Sequence, residues 1–103
     1  MAEFTGNRYT TCGIQDEISA ELQTIMWDMI DENRQQGKVL DYLQVFELKP
    51  KYTNGKGIQE IVHSQEQPRR KKKVTIKTDD PIYAKIFVID DGSYSTMLLN
   101  HEY

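Results

Sequence analysis

The clearest pattern in the chain is helical. Apolar side chains recur as Ile18, Leu22, Ile25, Met26, Met29 and Ile30, a spacing that gathers them on one face of an α-helix. Asp16 stands just before this stripe, with a carboxylate suited to accept first-turn N–H groups. Glu17 follows where the helix dipole favours an anion, and Gly37 supplies a C-terminal stop. The spacing predicts one helix over residues 17–36.

On either side of it the period shortens to two. Residues 8–14 read as a strand, because Tyr9, Thr10, Thr11 and Cys12 suit a pleated surface. Residues 40–48 carry Tyr42, Phe46 and Leu48 on one face and Leu43 and Val45 on the other, as a central strand does. Asn54-Gly55-Lys56-Gly57 is a turn signal, and residues 58–63 return as the hairpin partner. Residues 65–73 are polar and contain Pro68, which predicts a loop running into a strand at 73–77. Asp79-Asp80-Pro81 breaks that strand. The most apolar run, 82–89, predicts another central strand, and Asp90-Asp91-Gly92 a tight turn. Residues 93–99 read as a last strand, with a short helix as the alternative, and residues 1–6 as a flexible arm. The fold class these elements predict is α+β in a single domain over residues 1–103. One long amphipathic helix packs on a mostly antiparallel sheet of about five to six strands, in the order β-α-β-β-β-β-β.

Composition narrows the setting. The lone cysteine, Cys12, cannot form an internal disulfide, which fits a reducing compartment. No basic start is followed by an apolar stretch, so no signal peptide is expected. The longest apolar runs are too short to cross a bilayer, so the expected location is the cytoplasm, with no membrane partner. The formal net charge is −3, but Arg69, Arg70, Lys71, Lys72 and Lys73 form one basic block. Set that block aside and eight basic residues face sixteen acidic ones, a net of −8. The chain is thus an acidic body with one basic hot spot.

Chemistry-bearing residues are sparse. His63, His101 and Cys12 lie in three separate segments, with no spacing suited to a metal. Cys12 reads as a buried small apolar residue on a strand rather than a nucleophile, since nothing local would act as its base. Asp90 and Asp91 open a turn rather than pair as catalytic carboxylates. Gly55 and Gly57 lead into no helix and so lack the context of a phosphate loop. No catalytic residue, metal or cofactor is therefore expected, and the chain reads as a non-enzyme.

Two charged features remain as candidate partner-binding surfaces. Glu17, Glu21, Asp28 and Asp31 fall opposite the apolar stripe as an acidic ridge. Trp27 lies beside the stripe, either capping the core edge or standing exposed as an anchor. The ridge is either a solvated face or a dock for a basic partner surface. The basic block is a solvated loop, a phosphate contact or a grip on an acidic protein patch. It lacks interleaved aromatics, and the acidic remainder repels a long polyanion, which makes direct nucleic-acid binding the less favoured reading.

Several strings together resemble a known family. They are Asn7-Arg8-Tyr9, Gly13-Ile14, Leu22-Gln23, Trp27, Asp41-Tyr42-Leu43-Gln44-Val45-Phe46-Glu47-Leu48, and Ile89-Asp90-Asp91-Gly92 followed by Tyr94-Ser95-Thr96-Met97-Leu98-Leu99. The pattern is similar to a family of small Firmicutes proteins catalogued as a domain of unknown function, number nine hundred and sixty. It spans nearly the whole chain and implies no chemistry. This chain departs at Thr11-Cys12-Gly13-Ile14, where members commonly carry Thr-Arg-Gly-Ile or Thr-Arg-Gly-Val, and its basic block is unusual. The size and look also resemble type II-A anti-CRISPR proteins. That resemblance implies a small interaction protein from a phage or mobile element that inhibits Cas9 by binding the nuclease or its guide RNA complex. An acidic ridge suits the basic channel of such a nuclease. The alternatives are a housekeeping adaptor of unknown partner and a weak RNA-binding module using residues 69–73.

Overall fold

The computed structural model describes residues 2–103. Six strands form one sheet: β1 (Asn7–Thr10), β2 (Leu43–Thr53), β3 (Lys56–Gln65), β4 (Arg70–Lys77), β5 (Ala84–Asp90) and β6 (Tyr94–Leu99). Two helices, α1 (Cys12–Glu17) and α2 (Ala20–Gln35), lie between β1 and β2 in the chain, and a 3-10 turn (Asn100–Glu102) follows β6. In space the strands run β1-β6-β5-β2-β3-β4. Neighbours are antiparallel except β1, which runs parallel to β6.

This corrects the expected fold of one long helix on a mostly antiparallel sheet in the order β-α-β-β-β-β-β. The molecule is dominated by sheet, with 47% strand against 25% helix, and among the described residues only α2 exceeds one or two turns. The expected long helix is broken at Ile18 and Ser19, whose backbones are extended. The Ser19 hydroxyl accepts from the Leu22 N–H at 3.2 Å and starts α2. Thr11 does the same for Ile14 at 3.3 Å and starts α1, which ends the first strand at Thr10. Asp16 consequently lies inside α1 instead of capping a helix. Periodicity hid the break because Ile14, Ile18 and Leu22, four residues apart, are all buried.

The strands outrun their expected limits. Asn54 and Gly55 both have positive φ, 52° and 77°, the twist of a two-residue type I′ turn, so β2 and β3 pair up to Thr53 and Lys56. Pro50 fits inside β2 because β5 stops pairing at Leu48, leaving that side of the strand without a partner. The segment expected to loop, 65–73, is mostly strand, since Gln65, Ser64, His63 and Val62 pair with Arg70, Lys71, Lys72 and Lys73.

Both helices cover one face of the sheet. Ile14, Ile18, Leu22, Met26, Met29 and Ile30 pack with Phe46, Leu48, Ile61, Ile86, Val88, Met97 and Leu99 in one core. Phe4 joins it at 0% exposure, although its segment was expected to be a flexible arm. The Asp90 carboxylate accepts from the Glu3 and Phe4 N–H groups at 3.1 and 3.2 Å, which holds that segment down.

Most polar side chains within this layer are satisfied, the exception among the described residues being the buried Ser95 hydroxyl. Gln59 donates to the Ile82 carbonyl and accepts from its N–H, clamping the β4–β5 crossover over β3. His63 stacks on Phe46 at 4.3 Å and shares a 2.6 Å hydrogen bond with Gln44. Gln44 in turn donates to Gln65 at 2.9 Å.

Candidate binding surface

Strand alternation sends every second side chain away from the helices. On the far face Leu43 lies opposite Ile89, Val45 opposite Phe87, and Phe87 opposite Leu98. Leu43, Val45, Phe87 and Ile89 are half-buried. Val62 and Leu98 are buried yet stand outside the core under the helices. Neighbouring side chains on the sheet itself must shield them, so an apolar patch faces outward. Its β1–β6 end is aromatic. Tyr9 meets Tyr94 edge to face at 5.7 Å, and Phe87 meets Tyr103 at 5.5 Å. Tyr9, Tyr94 and Tyr103 remain 52%, 41% and 73% exposed.

The other half of this open face is basic. Lys49 and Lys51 on β2, Lys71, Lys73 and Lys77 on β4, and Lys85 on β5 share its parity. Glu60 lies between Lys51 and Lys73, 3.7 Å from each, and is neutralised by them. Residues 43–77 hold nine basic side chains against three acidic ones. The strand period also divides the basic block. Arg70 donates to the Val39 carbonyl at 3.0 Å, and Lys72 to Glu32 at 2.9 Å, both on the helix side. The Lys72 ammonium holds the Glu32 carboxyl below its usual value. Lys71 and Lys73 point the opposite way, and Arg69 is exposed in the turn before β4. An open depression of about 430 Å³ beside Lys71 is lined by Glu47, Val62, Ser64, Glu66 and Arg69.

Residues 7–102 match a family model described as Staphylococcal protein of unknown function, DUF960. The chain belongs to that family. A crystal structure described as that of a protein of unknown function from Enterococcus faecalis is similar to it, with a TM-score of 0.73 and 28% identity. That match covers 100% of this chain and 97% of the other. No curated protein matches the chain. The DUF960 match runs from the first residue of β1 into the 3-10 turn and so takes in the whole sheet. The two longest strings that carried the family resemblance lie on β2 and on β5–β6, where they supply Leu43, Val45, Ile89, Tyr94, Thr96 and Leu98 to the open face.

The expected acidic ridge is divided between two helices in this DUF960 fold, with Glu17 and Glu21 lining one depression. Glu17 ends α1, while Glu21 and Asp28 lie on α2, and all three are exposed. Asp31 is engaged instead: Arg8 and Arg34 both donate to it, and the Arg8 hydrogen bond foremost holds its carboxyl below the usual range. Trp27 is half-buried against the core, with the Arg8 guanidinium 4.7 Å over its ring, so it is no free anchor. Cys12 is exposed on α1, which corrects its placing as a buried strand residue. His101 is exposed in the 3-10 turn, and His63 is buried with its pKa pushed down to about 4, chiefly by desolvation. Among the described residues no three His, Cys, Asp or Glu side chains converge as metal ligands. Among the described residues no helix is long and apolar enough to cross a membrane.

The open face itself went unread in the sequence. Its apolar members on β2 were visible only as a strand with two apolar faces, which a buried central strand shares. The aromatic end depends on β1 joining β6, a pairing between residues more than eighty positions apart.

Proposed function

We propose that this is a non-enzymatic binding protein whose working surface is the open face of the sheet. The observation that carries the reading is the half-buried, outward-facing apolar patch of Leu43, Val45, Phe87 and Ile89, edged by exposed tyrosines on one side and lysines on the other. An apolar centre with a polar, aromatic-rich rim is the composition of recognition surfaces. The acidic helix side supports the reading less well, because Asp31 and Glu32 are occupied by cations of the same molecule. A Cas9 complex with its guide RNA belongs among the partners to test, as does a cellular adaptor partner.

The test is amide NMR of labelled protein titrated with guide-loaded Cas9 and, separately, with the protein and nucleic-acid fractions of a bacterial extract. Shifts should cluster at Val45, Phe87, Ile89 and Tyr94 with at least one of these. Shifts confined to α1 and α2, or none with any fraction, would overturn the proposal.

A further inference from the structure

Charge is segregated across this molecule. Residues 2–42, which include both helices, carry eight acidic and three basic side chains. Residues 43–77, which make β2, β3 and β4, carry three acidic and nine basic ones. Residues 78–103, which make β5 and β6, carry five acidic side chains and one basic one, so a polyanion is repelled from the helix side and drawn to the β2–β4 half of the sheet, whatever the net charge of −3.

Lysines on that face are set in rows. Lys71 and Lys73 are two residues apart on β4, and Lys49 and Lys51 two apart on β2. Along a strand that separation is about 6.8 Å, comparable to that between consecutive phosphates of an extended nucleic-acid strand. The aromatic half supplies the second requirement, since exposed rings let unpaired bases stack. The third is a means of reading the sugar. Asn7 lies opposite Tyr94, and Thr96 opposite Tyr9, so a polar side chain stands beside each ring, suited to a 2′-hydroxyl.

From this juxtaposition we infer that the open face binds single-stranded RNA. Its bases stack on Tyr9 and Tyr94, and its phosphates follow the lysines of β2, β4 and β5. The inference rests on the open face being the working surface. Six strands at ~4.8 Å spacing give a platform about 24 Å wide, room for on the order of four nucleotides. A duplex hides its bases, and a flat sheet offers no helix to enter a groove. An acidic peptide satisfies the lysines but makes no use of the paired tyrosines. This revises the reading of the basic block as a single RNA-contacting loop, since only Lys71 and Lys73 of its strand residues face the platform.

The experiment is fluorescence anisotropy with labelled 12-mers of oligo(U) and oligo(dT), an RNA duplex of equal length and a 12-residue polyglutamate peptide. Oligo(U) should bind more tightly than the other three. If Lys49, Lys71, Lys73 and Lys85 each neutralise one phosphate, its affinity should fall about 50-fold between 50 and 200 mM salt. In the Lys71→Gln/Lys73→Gln variant that fall should shrink to about 7-fold. Tyr9→Ala with Tyr94→Ala should weaken binding about 30-fold or more, and Tyr94→Trp should retain it. Glu21→Lys with Asp28→Lys, on the helix side, should not weaken it. Thermal melts confirm that each variant is folded.

No oligo(U) binding by the folded protein at 50 mM salt would overturn the inference. So would oligo(dT) or duplex binding as tight as oligo(U). Tight polyglutamate binding that needs the lysines and ignores the tyrosines would also overturn it, yet would leave the open face standing as the working surface. The NMR titration above separates that case from failure of the surface itself.

Discussion

Arg8 reaches from β1 to Asp31 on α2 and gives both terminal nitrogens to that carboxylate, one of them at 3.0 Å. The same guanidinium lies 4.7 Å over the Trp27 ring and donates to the Phe4 carbonyl at 3.2 Å. One side chain thus ties the edge strand, the N-terminal segment and the long helix together. Arg8→Ala should cost about 1–3 kcal/mol, since it removes a two-pronged charge-assisted pair from a partly buried site. Arg8→Lys should recover little of it, because an ammonium offers a point charge in place of a planar fork. Urea melts of the three proteins check this; a lysine variant as stable as the parent would show that charge alone suffices.

Asp31 and His63 give stability two separate acid limits. The Asp31 carboxyl is held below its usual value, so its contribution is present above about pH 4 and lost as pH falls through the lowered folded value. His63 works higher. Burial, followed by the nearby Arg70 and Lys72, pushes its pKa down to about 4 from 6.5. The unfolded chain then binds the extra proton between those values, so stability is complete above pH 6.5 and declines toward pH 4. The loss is about 3 kcal/mol over that range. His63→Gln should melt at nearly the same temperature at pH 6.5 and pH 4.5, whereas the parent should melt lower at pH 4.5. An equally flat parent profile would show that His63 takes up its proton without opening the network around Gln44.

Gly6 is pinned by its surroundings. A Cβ there would lie 2.1 Å from the Ser93 backbone carbonyl oxygen, a clash that no side-chain rotation relieves. Gly6→Ala should therefore push β1 away from β6 at a cost of about 1–3 kcal/mol, and amide exchange at Tyr9 and Thr10 should accelerate. Protection unchanged from the parent would mean that the segment slides without leaving the sheet.

The legible parts of the chain were those governed by local rules. The stripe from Leu22 to Ile30, the Asn54-Gly55 turn and the apolar run of β5 can be read without knowing their neighbours. What escaped reading was set by distant partners. Gln59 and His63 look like surface residues of a polar strand, and their burial depends on Ile82 and Gln44 taking up their polar atoms. Phe4 looks frayed until Asp90, eighty-six positions away, supplies an acceptor for its N–H. The pairing of Asp31 within the expected acidic ridge was not legible, because Arg8 and Arg34 had no visible reason to meet it.

The basic block gives the sharpest test of how strand parity divides labour. Arg70 and Lys72 face the helix layer, where they hold the Val39 carbonyl and Glu32 and stand near His63. Lys71 and Lys73 face the open sheet, with only Glu60 near Lys73. Arg70→Ser with Lys72→Ser should lower the melting temperature, because the loop after α2 loses its tie to β4. The same pair should raise the His63 pKa, since two neighbouring cations that oppose its protonation are gone. Lys71→Ser with Lys73→Ser should leave the His63 titration where it was and the melt nearly unchanged, while weakening oligo(U) binding. His63 ring shifts followed by NMR across pH 3.5–7, with a melt and an anisotropy titration on the same samples, measure all three effects. If both double variants moved the His63 titration alike, the four side chains would be acting as one diffuse positive cloud. The division into a structural face and a binding face would then be wrong.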